Sequence, residues 1–515
     1  MNANSKVGGS PRTAMQRLLD TIERVGNKVP HPVVIFLVLI GMLIVLSVLL
    51  SLLGASVTVE RINPETHALE TSVTAVRSLL NADGIRMLYV SLIPNFMAFV
   101  AVGLLVGAMI GAGVMEESGL VKALIRKLVL VSPPAVLSYI LALVGILSSI
   151  AADAGYLVLL PLAGIAFASV GRHPIAGLGL GYAAVAGAFT VNMLIKPLDA
   201  VLVQFTNDAI HLVDPARSIG LASNLWFSIV SVIFLTLLVG FLTDRVVLPR
   251  LGPYTPADAT AESGPELTAQ ESRGLRFAGL GMLGLLAVFA FLTLPSWAPL
   301  RDPQSGQLIG DSPFMNGLIG FIMLMFLVSG WCYGIGAGTL RTLGEVIAAM
   351  EKAITGLGGT IFLFFVISQF TAYFVYTNIG TVAALSLASV LSTANLGALP
   401  LLIGFIVVVA VIDIVIVGSI PKWAIFAPVF VPLLVKLGAE PEAVLAAYRV
   451  GDSPMNALTP INAYFALVVG FARKYDPDTG VGTVVSLMLP YFLWMQVLWI
   501  GLFAVWQVLG LPWGL

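Results

Sequence analysis

Charge is what this chain has least of. Only 10% of its 515 residues are Asp, Glu, Lys or Arg, against about a quarter in soluble globular domains. The formal net charge is −1, which offers no basic footprint for a nucleic acid or another polyanion. Cysteine is nearly missing. Cys332 alone rules out an intrachain disulfide and a thiolate zinc centre. The histidines His31, His67, His173 and His211 are scattered and form no metal-binding spacing. No phosphate-binding loop is present, because the glycines at 356, 358 and 359 follow no strand and precede no Lys-Ser/Thr pair. Those glycines read as helix-packing positions. No Ser-His-Asp or His-Glu-x-x-His arrangement supports a hydrolase. An ATP-driven pump and a membrane protease are excluded on these grounds, and neither an enzyme nor an organic cofactor is expected.

Apolar sequence is what is present. Hydrophobic residues make up 58% of the chain, with a further 51 Gly and 29 Pro, and the mean hydropathy is +0.99. Apolar runs of about 20 residues recur, each long enough to cross a bilayer. They predict an all-α polytopic membrane protein with spans near 32–54, 87–113, 174–195, 219–242, 277–295, 314–331, 353–374, 441–470 and 483–509. Two further segments, 133–168 and 399–436, read as hairpins that enter the membrane and return on one side. The architecture expected is therefore about nine transmembrane helices and two re-entrant helical hairpins in inverted repeats.

The chain divides into an N-terminal segment (1–31), a first membrane half (32–250), a linker (251–274) and a second membrane half (275–515). An amphipathic helix is expected over Ala14 to Val25, and 55–86 reads as a polar external insertion. Lys6, Arg12, Arg17, Arg24 and Lys28, with Lys122, Arg126, Lys127, Arg245, Arg250, Arg273, Arg276, Arg341, Arg473 and Lys474, fall on one side of this layout. Arg61, Arg77, Arg86, Lys196, Arg217, Arg301 and Lys436 fall on the other. Cytoplasmic loops carry the excess of Lys and Arg. The bias places the N-terminus in the cytoplasm and, with nine spans, the C-terminus outside.

Two stretches place polar residues where lipid-depth sequence should have none. One is Ser148-Ser149-Ile150-Ala151-Ala152-Asp153-Ala154-Gly155-Tyr156, and the other is Gly418-Ser419-Ile420-Pro421-Lys422-Trp423. Each lies between apolar arms short for a full span. Each is followed by a long apolar segment with a polar break, at Phe189 to Asp199 and at Arg449 to Asn456. Paired Gly/Pro-interrupted segments in corresponding halves point to the binding site of a secondary transporter.

Asp153, Asp199, Asp413, Lys422, Arg449 and Asp452 all lie in apolar surroundings, where an ionisable group is a functional candidate. Asp153 reads as a helix cap or as a site residue, with Ser149 and Ser419 as structural members of the tips. Asp199 belongs either to the site or to the outer end of its helix. Arg449 and Asp452 share a helix face and form either a structural ion pair or a substrate clamp, since a guanidinium matches a carboxylate. Asp413, Asp452 and Asn456 compose a candidate oxygen cage for Na⁺ or a proton-binding point. Trp423 anchors its tip by packing or stacks on an aromatic ring. Lys422 is expected to snorkel to water.

At these residues the chain resembles the aminobenzoyl-glutamate transporter family. The resemblance also rests on Gly171-Arg172-His173-Pro174, Ala427-Pro428-Val429-Phe430-Val431-Pro432, Ala447-Tyr448-Arg449-Val450-Gly451-Asp452-Ser453, Thr459-Pro460 and Met488-Leu489-Pro490-Tyr491. It implies a homodimer and a small aromatic-amide substrate related to p-aminobenzoyl-glutamate, or a sulfonamide antimetabolite. It implies a substrate cavity of Asp199, Trp423, Pro441, Arg449 and Asp452. It implies coupling to H⁺ or Na⁺ through Asp413, Asp452, Asn456 and Asn378. The chain departs from the family pattern at Asp413, where Asn is usual, and at Pro421 and Pro454. The main alternative is a dicarboxylate or organic-anion symporter on the same plan, and a receptor or scaffold without transport is the third.

Overall fold

The computed structural model describes residues 31–62, 69–130, 132–151, 155–252, 254, 267–308, 312–393, 397–414, 416, 418–462 and 464–515, without the side chains of 59–62, 69–72, 129, 151 and 387–393. The expected helix at Ala14 to Val25, Asp153 and most of the 251–274 linker lie outside the described residues. His31 opens the first helix, α1 (Pro32–Leu52), its Nδ1 accepting from the Val33 N–H at 3.3 Å ahead of a proline at the first helical position. Such a proline gives up only an N–H that has no intrahelical partner. The 55–86 insertion folds as an antiparallel pair, β1 (Ser56–Ile62) and β2 (Leu69–Ala75), with Ser56 opposite Ala75 and Ile62 opposite Leu69. It is a small non-helical element in a helical chain.

The span expected at 87–113 is three helices: α2 (Ala82–Val90), α3 (Leu92–Met97) and α4 (Val100–Glu117). The chain leaves helical geometry at Phe99 (ψ 87°). Next come α5 (Leu120–Leu130), α6 (Leu137–Ser148), a π-helical turn (Gly155–Leu159) leading into α7 (Leu160–Ser169), and α8 (Pro174–Gly187). The span expected to run over 174–195 stops at Gly187 and resumes as α9 (Pro197–Ile210). Lys196 is extended (φ −118°, ψ 165°) before Pro197, as the clash of a proline ring with its predecessor requires. The first half ends with α10 (Leu225–Leu242), continued by further helical turns to Leu251.

The second half begins with α11 (Ala269–Thr293), opened by a reciprocal cap in which the Glu271 N–H donates to Thr268 Oγ1 (3.1 Å) and the Thr268 N–H to Glu271 Oε2 (2.9 Å). It continues through α12 (Leu318–Ala337), α13 (Leu343–Gly356), α14 (Gly358–Thr377), α15 (Ile379–Thr393), α16 (Ala398–Asp413), α17 (Ser419–Lys436), α18 (Pro441–Asp452), α19 (Phe465–Ala472) and α20 (Val481–Val508). The hydropathy reading passed over α13 and α15. The first carries Glu345, Glu351 and Lys352, and the second is diluted by Thr, Ala and Ser. Gly356, Gly358 and Gly359 meet nothing within 4 Å, so they mark the corner between α13 and α14 and not a helix contact. The segment 441–470 is broken between Asp452 and Phe465.

Among the described residues, eight helices are long and apolar enough to cross a membrane. Their outer faces are apolar: on α11 only Gly274, Ala278 and Thr293 are buried, while Leu280, Leu283, Val288 and Phe291 are exposed. Large exposed apolar faces of this kind suit hydrocarbon and not water. By contrast α8 is buried along its whole length. The same order of elements occurs twice: helix, polar tip, helix, helix, break, helix, over 137–210 and again over 398–472. Both sets contribute to one continuous core, in which Tyr182, Val191 and Leu202 join Trp423, Val444 and Tyr448.

The second tip turns at Gly418, whose φ of +104° favours glycine. Close approach matters most where α18 crosses α16. A Cβ at Gly451 would lie 2.7 Å from the Ile406 carbonyl oxygen and 2.8 Å from Val409 Cβ. Gly451→Val is expected to destabilise the fold by about 1–3 kcal/mol, as overpacked core positions do. A melting curve of the detergent-purified variant that matches the parent would refute this contact.

Candidate functional site

The two breaks meet in the core and are bonded to each other. The Thr190 N–H donates to Ser453 Oγ (3.2 Å), Thr190 Oγ1 donates to the Arg449 carbonyl (3.1 Å), and the two hydroxyls are also in contact. Helix ends in a dry interior need partners for their free carbonyls, and asparagines supply them. Asn192 Nδ2 donates to the carbonyls of Ile146 (3.3 Å) and Leu147 (3.2 Å) at the end of α6, and to Ser149 Oγ (3.1 Å). Asn456 Nδ2 donates to the Asp452 carbonyl (2.8 Å) at the end of α18.

Arg449 and Asp452 are neighbours on α18 but pair with different partners. Arg449 Nη1 donates to Asp199 Oδ1 (2.6 Å) and to the Thr190 carbonyl (2.5 Å), and its Nε to Asn224 Oδ1 (3.3 Å). Asp199 is buried in the first turn of α9, where its Oδ2 accepts from the Lys196 backbone N–H (2.8 Å). A carboxylate there also meets the positive end of the helix dipole. Asp199 therefore sits inside the core, not at an outer helix end. The reading of Arg449 and Asp452 as an ion pair with one another is corrected by these partners.

Asp452 is held from the other side. Its Oδ1 accepts from Tyr448 OH (2.9 Å) and lies 2.7 Å from Lys422 Nζ, while its Oδ2 accepts from Ser419 Oγ (2.6 Å). Lys422 Nζ also contacts Asp413 Oδ1. Asp413 Oδ2 is buried and has no hydrogen-bond partner among the described residues. Lys422 is 0% exposed, so it does not snorkel. Two carboxylates beside its ammonium hold it inward more strongly than a distant water surface. Lys196, placed by the sequence among the basic residues of the outer side, is likewise buried. Its Nζ donates to Ser149 Oγ (3.2 Å) and the Phe189 carbonyl, 4.9 Å from the Phe189 ring centre. The backbone N–H of Lys196 and the Arg449 guanidinium share the Asp199 carboxylate, which joins the first tip to the Arg449 group.

The structure thus brings together Asp199, Asp413, Ser419, Trp423, Arg449, Asp452 and Asn456, with Ser149 joined through Lys196 and Asn192. The Trp423 ring is fully buried and stacked on Tyr448 at 4.3 Å, and its Nε1 donates to the Leu202 carbonyl and Thr206 Oγ1, both at 3.0 Å. Pro441 starts α18, eight residues and about 12 Å along the axis from Arg449. Asn378 ends α14 with φ 58° and donates from Nδ2 to the Ala75 carbonyl of β2 (3.1 Å), so its amide serves the β-hairpin. Sequence reasoning missed Lys196, Thr190, Ser453, Tyr448 and Asn224 as members. Tyr448 carried a usable signal, one turn before Asp452 on the same face. Asn224 carried none, since only the fold brings it to Arg449.

A family model described as the AbgT putative transporter family matches residues 17–515. The chain belongs to the AbgT family of transporters. Similar to this AbgT protein is the p-aminobenzoyl-glutamate transport protein of Escherichia coli (strain K12), 32% identical over 498 residues, which are 97% of this chain and 96% of the relative. The crystal structure of the Alcanivorax borkumensis YdaH transporter superposes with a TM-score of 0.87 at 40% identity, covering 94% of this chain and 100% of the other. Neisseria gonorrhoeae MtrF, described as illuminating a class of antimetabolite efflux pumps, superposes with a TM-score of 0.89 at 37% identity, covering 95% and 97%. This AbgT chain is accordingly an all-α, multi-pass membrane transporter acting on small molecules within a bilayer, and not an enzyme.

Removing one partner from a buried ion pair costs about 3–5 kcal/mol, because the other charge stays buried alone. Arg449→Ala is expected to show that loss as a lower melting temperature and to abolish transport. Arg449→Lys keeps a charge but not the fork that reaches Asp199, Thr190 and Asn224 together. It is expected to regain much of the stability and little of the transport. Full transport by Arg449→Lys would remove the fork from the site.

Proposed function

We propose that this chain is an ion-coupled secondary transporter of p-aminobenzoyl-glutamate-like folate breakdown products, of sulfonamide antimetabolites, or of both, with H⁺ or Na⁺ as the coupling ion. In this reading it has nine spans and two re-entrant hairpins in inverted repeats, with hairpin tips at Ser149 and Ser419. It works as a homodimer in the bacterial inner membrane, N-terminus in the cytoplasm and C-terminus outside. Support for the hairpins comes from the repeated element order and from the polar tips at Ser149 and Ser419. Support for the substrate class comes from the named relatives.

The observation that carries the reading is the Arg449–Asp199 pair at the junction of the two breaks. Arg449 presents a planar donor fork at the core, and Asp199 is its resident carboxylate. A substrate carboxylate replaces Asp199 on the guanidinium with two parallel charge-assisted bonds. The freed Asp199 then receives the aniline nitrogen, the group that p-aminobenzoyl-glutamate and sulfonamides share. The exchange leaves Arg449 paired with a carboxylate and gives Asp199 a neutral N–H donor in place of the guanidinium. Trp423 stacks on the aromatic ring once Tyr448 withdraws from its face.

Proteoliposomes loaded with purified protein test this reading. Labelled p-aminobenzoyl-glutamate is expected to move under an imposed pH or Na⁺ gradient and to be displaced by a sulfonamide but not by glutamate alone. Displacement by glutamate alone would instead favour the dicarboxylate symporter. Absence of flux for both solutes under both gradients would defeat the substrate assignment.

A further inference from the structure

The sequence marks Asp413, Asp452 and Asn456 as a cage for a coupling cation, and the geometry tests whether Na⁺ fits there. Hard cations are bound by several oxygens whose lone pairs face the ion. Both oxygens of Asp452 are engaged, by Tyr448 and Lys422 on one side and Ser419 on the other. Asp413 Oδ1 is engaged by Lys422. The Asn456 amide nitrogen is turned to the Asp452 carbonyl. Asp413 Oδ2 is buried without a hydrogen-bond partner among the described residues, and this one carboxylate oxygen falls short of the set a hard cation takes. An ammonium already stands between the two carboxylates, and at such distances in a dry interior a second cation is strongly repelled. The residues present do not fit Na⁺.

We propose that Lys422 is a tethered cation that takes the place of Na⁺ between Asp413 and Asp452. This deepens the ion-coupled reading above and rests on it. Several features of the fold converge. Lys422 and both carboxylates are fully buried on every side chain involved. The ammonium bridges the C-terminal ends of α16 and α18 through Asp413 and Asp452. Its own helix, α17, begins at the tip residue Ser419, which donates to the same carboxylate. One covalently attached charge therefore joins the tip to both helix ends, with no dissociable ion needed. Removing the ammonium leaves two carboxylates, the Tyr448 and Ser419 hydroxyl oxygens and a cavity of ammonium size, an oxygen set suited to Na⁺.

Thermal unfolding of the purified full-length protein in NaCl, against choline chloride of equal ionic strength and pH, tests the proposal without any transported solute. The parent protein is expected to melt at the same temperature in both salts. Lys422→Ala is expected to melt several degrees higher in NaCl, since a ligand bound only by the folded state stabilises it. Lys422→Met, which keeps most of the stem volume, serves the same comparison if Lys422→Ala does not fold. A Na⁺-dependent rise in the parent protein overturns the proposal, as does the absence of such a rise in a folded Lys422 variant. Failure of p-aminobenzoyl-glutamate or sulfonamide flux in proteoliposomes would defeat the substrate assignment and leave these melting results standing.

Discussion

A charge withdrawn from water must be met by an opposite charge or by fixed dipoles, and burying one without either costs several kcal/mol. The core of this transporter obeys that constraint in one place. Lys196, Lys422 and Arg449 stand with Asp199, Asp413 and Asp452 among residues that are otherwise apolar. The helix α18 makes the arrangement possible. Its last turn sends Arg449 toward Asp199 in the first repeat, and Tyr448 and Asp452 toward Ser419 and Lys422 in the second.

The breaks follow from the same constraint. A helix that stops in a dry interior exposes carbonyls and N–H groups that only protein partners can satisfy. Asn192 and Asn456 serve the ends of α6 and α18 with their amide nitrogens, and the Thr190 and Ser453 hydroxyls close one break against the other. The polar residues of the breaks thus have two tasks. They let the backbone end at this depth, and they bring the charged side chains within reach of each other.

Much of this was legible in the sequence because apolar run length and the placement of Pro and polar residues are local properties. The tips at Ser149 and Ser419, the break before Pro197 and the membership of Asp199, Arg449 and Asp452 in polar interruptions all stand in the linear text. The continuation of α8 into α9 was obscured because the intervening polar residues resemble a loop end. Partner choice was not legible. Arg449 and Asp452 are three residues apart and look like a pair, but the geometry of packing sends them to Asp199 and Lys422. Lys422 looked like a residue reaching for water because nothing local reveals that Asp413 and Asp452 converge on it. Asn224 bonds to the site through a contact that only the tertiary fold creates.

The indole N–H of Trp423 spans the divide between the repeats, fastening α17 to the Leu202 carbonyl and Thr206 of α9. These two helices lie before and after the stretch 251–274, read in the sequence as a linker. Any rearrangement that keeps this bond carries α9 and α17 as one rigid body. The bond therefore ties the first half of the chain directly to the second. Pieces cut at that linker would each lack one side of the fastening, so separately expressed halves would be incomplete as mechanical units however well each folded.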